Sequence, residues 1–82
     1  MTDRQKQTIQ ATWENYVDAR DLLGANAERK ADSLAPLVRQ RIKKCQNIGE
    51  RYLIPEWQNL GNVDCWSWSE LFSLKYPRSV LN

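Results

Sequence analysis

Leu34, Leu37, Val38, Ile42, Cys45, Ile48 and Tyr52 recur every three or four residues through the middle of this chain. Projected at helical spacing they fall within an arc of about 140°, the width of a stripe that one helix buries against a core. No alternating apolar–polar stretch longer than a few residues competes with it. A helical stripe without strand patterning restricts the chain to an all-α fold.

A second stripe comes first along the chain: Ile9, Trp13, Tyr16, Val17 and Leu23 share one face. Thr2 and Gln5 stand in capping-box spacing before it, and Gly24 after it can take the left-handed conformation that stops a helix. Together they predict a helix over about 3–23. Asn26 can cap the next helical segment. Pro36 then leaves two arrangements. Either residues 26–33 form a turn or two and Ser33 caps a new helix, or one kinked helix starts near 26. In both cases the central helix ends near 53, because Pro55 disfavours helical geometry at Ile54. Gly49 lies inside the stripe, which implies close helix packing there.

Pro55 can open a short turn over 56–60, closed by Gly61. Ser67 and Glu70 form another capping-box pattern, with Trp66 and Leu71 in hydrophobic-staple positions. They predict a last helix over 68–75, stopped by Pro77, with residues 78–82 a loose tail. The expected architecture is a small bundle of three or four helices, a single domain over 1–77.

The chain has 82 residues. A domain of this size buries only about 60–65% of its unfolded surface and is marginal as a lone monomer. Docking on a larger protein, or pairing with a second copy, therefore enters at once. The sequence has no histidine, so the commonest general base and transition-metal ligand are missing. It has no glycine-rich phosphate loop and no Gly-x-Ser-x-Gly elbow. Cys45 and Cys65 form no C-x-x-C pair and are expected as free thiols. No enzyme, cofactor or metal is expected. No window reaches the roughly 20 apolar residues of a membrane span, and the polar start carries no signal peptide. The default location is the cytoplasm.

Interaction is what remains. Trp57, Trp66 and Trp68 fall within twelve residues, and Trp13 is the fourth tryptophan. Trp and Tyr bury large areas while keeping a polar handle, which suits interface anchors. At helical spacing Trp68, Phe72 and Tyr76 would share one face of the last helix, and Trp66 would fold back on Leu71. The alternative is that these rings lid the core. Positive charge gathers on the central helix: residues 33–54 carry +4, from Arg39, Arg41, Lys43, Lys44 and Arg51 against Glu50. Its cations project to both flanks of the apolar stripe, which weakens a groove-binding reading. Arg20 and Arg41 fall inside the stripes, where an arginine either snorkels to the edge or meets a carboxylate.

The resulting expectation is a small non-catalytic protein–protein interaction module: an adaptor, an inhibitor or an accessory subunit, docking sterically on a larger protein. Its size and lack of chemistry suit a phage or mobile-element accessory protein. Trp57, Trp68 and Tyr76 would anchor the partner, with Arg39, Arg41 and Lys44 steering and forming the rim. The alternative is a nucleic-acid-binding regulator using Arg39, Lys43, Lys44 and Arg51 on the basic helix 39–51. A further alternative is a structural homodimer in which two central stripes pack together.

Overall fold

The computed structural model describes residues 1–81, which form helices α1 (Asp3–Ala25), α2 (Ala31–Tyr52), α3 (Pro55–Gln58) and α4 (Trp68–Leu71) and no strand. Two 3₁₀ turns, Val63–Cys65 and Arg78–Val80, complete the elements. The all-α expectation is met. The long helices α1 and α2 pack on each other as a hairpin, and the shorter pieces fold back along α2. The result is elongated, 41 × 21 × 16 Å.

The capping box at the start of α1 is present. The Thr2 hydroxyl accepts from the Gln5 amide at 3.2 Å, and the Gln5 side chain accepts from the Thr2 amide at 2.9 Å. The helix runs past Gly24, two residues beyond the expected stop. Asn26 ends it instead. Its backbone N–H donates to the Leu22 and Leu23 carbonyls, and its side-chain amide donates to Leu22 at 3.0 Å. Those donors satisfy carbonyls that would otherwise need a glycine-based cap.

Pro36 neither begins nor breaks a helix. Residues 26–30 form turns, and α2 runs unbroken from Ala31, so Pro36 is its sixth residue. Ser33 lies inside the helix, its hydroxyl donating to the Lys30 carbonyl at 3.0 Å. The missing Pro36 N–H deprives the Asp32 carbonyl of its helical donor, and both residues are exposed. At its other end α2 closes on Leu53, whose φ of 55° and ψ of 48° are left-handed. The Leu53 and Ile54 N–H groups both donate to the Gly49 carbonyl. Leu53 is 73% exposed, so its side chain adds little packing to offset that conformation. Leu53→Gly is therefore expected to stabilise the fold by about 0.5–1 kcal/mol, after allowing for glycine's freer unfolded state. A higher urea midpoint at unchanged slope would show it.

The C-terminal third is more irregular than its pattern suggests. Pro55 takes the first position of α3, where no N–H is required. Ser67 and Glu70 form the expected capping box, yet α4 stops at Leu71 instead of 75. The Phe72 and Ser73 amides bond three residues back, and the Ser73 hydroxyl takes the Glu70 carbonyl at 2.6 Å. Serine competing for a carbonyl in this way undercuts helix propagation. The loose tail expected over 78–82 is also corrected. Arg78–Val80 is a 3₁₀ turn, Val80 is buried, and Ser79 donates to Glu56 at 2.9 Å. Asn82 lies outside the described residues.

The core unites Ile9, Tyr16, Ala19 and Leu23 of α1 with Ala35, Val38, Ile42 and Cys45 of α2. Ile54, Trp57, Val63, Leu71, Leu74 and Val80 close it from the C-terminal side.

Candidate functional site

Trp57 sits on α3 with no exposed surface. Its indole N–H donates to the Lys75 carbonyl at 3.0 Å, so the ring's one polar atom is satisfied inside. Its ring stacks on Trp13, with centroids 6.2 Å apart and planes at 22°. The expectation that Trp57 anchors a partner is thus corrected: it pins the C-terminal segment to the helical hairpin. Trp13 extends the cluster, meeting Tyr76 edge-on at 5.8 Å and Tyr16 at 5.3 Å. The buried Tyr16 hydroxyl donates to the Leu71 carbonyl, and burial pushes its pKa up despite the neighbouring Arg20. Arg20 lies over Trp13 and Tyr16, 6.0 and 5.6 Å from the ring centroids. This accounts for its place in the apolar stripe: the stem packs inward and the charge rests on aromatic faces.

Trp68 and Phe72, one turn apart, stay at the surface, 38% and 36% exposed. Neither engages another aromatic ring among the described residues. Because α4 is only four residues long, Tyr76 does not continue their face. It turns toward Trp13 and is half-buried. Trp66 is half-buried against the core.

The basic helix is partly consumed by the fold. Arg39 reaches across to donate to the Trp66 carbonyl at 3.2 Å, with its Nε buried and unpartnered. Lys43 pairs with Asp64 at 2.8 Å. Arg41 is half-buried and in no ion pair among the described residues, and Lys44 and Arg51 are exposed. Arg39 is therefore a structural tie more than a rim contact. Of the four cations in the nucleic-acid alternative, two are held by the C-terminal segment.

A groove of about 330 Å³ opens between α3 and the segment after α4. Leu60, Trp66, Leu74 and Tyr76 supply its apolar walls. Glu56, Ser73, Lys75 and Arg78 supply its polar edge. Of these residues only Tyr76 stands out as a site residue in the sequence. The available signal is that Lys75 and Arg78, flanking it, are the only cations after Arg51. The fold gives that pair meaning by bringing α3 against it.

Both cysteines are free, Cys45 buried and Cys65 exposed. Burial raises the Cys45 pKa from its ordinary 9.0 to about 12. Between those values the unfolded chain ionises this thiol while the native chain keeps the proton, so stability falls as pH rises. The expected loss is about 1.4 kcal/mol per pH unit over that window. It would be read from denaturation midpoints above pH 9, with Cys45→Ala removing this component. Among the described residues no three of His, Cys, Asp or Glu gather around a possible metal position. Among the described residues no helix is long and apolar enough to cross a membrane. Compared with protein-family models, with curated proteins and with solved structures, the chain matches none.

Proposed function

We propose that this chain is a non-catalytic protein–protein interaction module, an adaptor, inhibitor or accessory subunit that docks sterically on a larger protein. The observation that carries this reading is the exposed Trp68–Phe72 pair. Two large rings that each keep more than a third of their surface exposed on so small a domain leave apolar area for a partner to cover, and aromatic residues of this kind dominate interface energetics. Arg41 and Lys44 supply steering charge; Trp57 and Arg39 act indirectly by fixing the segment that presents the rings. A cytoplasmic setting belongs to the reading, since both thiols are unbridged.

The test is capture of partners by the tagged protein, with and without nuclease. A stoichiometric protein should survive nuclease and be lost with Trp68→Ala. Since Trp68 keeps more than a third of its surface exposed, that variant should stay folded, losing no more than about 1–2 kcal/mol. Recovery of nucleic acid alone would replace this reading with the basic-helix one. A strongly destabilised Trp68→Ala would place that ring in the core and remove the site.

A further inference from the structure

The geometry points to the groove between α3 and residues 73–78 as the seat of one bulky apolar side chain from an acidic segment of the partner protein. This inference rests on the interaction-module reading and names the partner's chemistry. The space, about 330 Å³, accommodates a large side chain, and Trp66, Tyr76, Leu60 and Leu74 line it. A pocket of mainly apolar walls with a few convergent polar groups is how single anchor residues are held.

Charge selects the sequence around that anchor. Lys75 and Arg78 are exposed at the edge, and neither is in an ion pair among the described residues. The one carboxylate at the edge, Glu56, accepts a hydrogen bond from Ser79 at 2.9 Å. The edge therefore carries two cations against one carboxylate, a net positive charge that an acidic segment complements. The backbone offers more donors of the same sign. The Leu74, Lys75 and Tyr76 N–H groups lie in the irregular stretch after α4 and make no backbone hydrogen bond among the described residues. The Lys75 carbonyl is taken by Trp57.

The probe is the peptide acetyl-Glu-Asp-Trp-Asp-Glu-amide, titrated into the full chain and followed by amide and indole NMR shifts. Saturable shifts at the Trp66 indole and at the amides of residues 74–78 are expected. Replacing the peptide's tryptophan with alanine, or its acids with lysine, should weaken binding about tenfold or more. The double variant Lys75→Glu with Arg78→Glu should do the same while keeping the helical signal, because both side chains are exposed. Absence of saturable shifts, equal binding of the basic peptide, or undiminished binding by the double variant would each overturn the assignment. The captured partner separates this inference from the broader reading. A partner lost with Trp68→Ala but retained by the double variant overturns the groove and leaves the docking module standing. Peptide seated in the groove with no protein captured upholds the groove and removes the docking module.

Discussion

Trp57→Ala is expected to destabilise the chain by about 3–5 kcal/mol, the range for removing a large aromatic from a core. Three losses combine. The ring is fully enclosed, so its apolar area and packing contacts go together. Its stack against Trp13 at 6.2 Å disappears, exposing a second aromatic. The Lys75 carbonyl loses the indole donor at 3.0 Å, and a carbonyl left unsatisfied in a buried place adds about 1–3 kcal/mol of desolvation cost unless water reaches it. Domains of ordinary stability hold about 5–15 kcal/mol in total, and small ones sit at the lower end. The variant should therefore be largely unfolded or melt far below the wild type by circular dichroism. Trp57→Phe separates the contributions: it keeps most of the packing, forfeits the hydrogen bond, and should cost a smaller part. The contrast with Trp68 is the sharpest check on the division between core and surface. An equal, small effect at both positions would mean that α3 does not pin the C-terminal segment as described.

That division also marks what the sequence can and cannot reveal. The central stripe and the two capping boxes are readable because their causes are local: helical spacing, and a hydroxyl three residues from an amide. Gly49 within the stripe is readable as close packing for the same reason. The end of α1 is misplaced by sequence because Gly24 takes the stopping role there, whereas the backbone and side-chain amides of Asn26 close the helix two residues later. The length of α4 turns on the Ser73 hydroxyl taking the Glu70 carbonyl, a competition that apolar periodicity does not register. Trp57 misleads for a non-local reason. It sits on a four-residue helix with no period of its own, and its surroundings come from Trp13 and Lys75, far away along the chain. Arg39 likewise belongs to a basic run in the sequence and to the Trp66 carbonyl in the fold. The groove has no one-dimensional signature beyond two cations beside Tyr76, since Glu56 and Leu60, in and just after α3, meet the 73–78 segment only in the fold.

Gly49→Ala is the second large effect, and it tests how α2 and α3 meet. A Cβ built at Gly49 would lie 2.6 Å from the Trp57 Cβ, and 2.8 Å from both the Trp57 carbonyl carbon and the Gln58 amide nitrogen. These are short of any ordinary contact, and two of the three atoms are backbone, so no rotamer change relieves them. Alanine's better helix propensity, worth about 1 kcal/mol over glycine in a helix interior, opposes the clash but cannot remove it. Overpacking of this kind costs about 1–3 kcal/mol, occasionally more. Here α3 must move as a body, because its start is fixed by Pro55 and the Gly49 carbonyl itself caps α2 through Leu53 and Ile54. We expect a net loss of about 1–2 kcal/mol, with the Trp57 indole losing hydrogen-exchange protection as its bond to Lys75 lengthens. The displacement would reach the groove through Glu56 and Leu60. A Gly49→Ala chain that gains stability, as helix propensity alone dictates, would show that α2 and α3 are not in backbone contact and that the groove lacks its α3 wall.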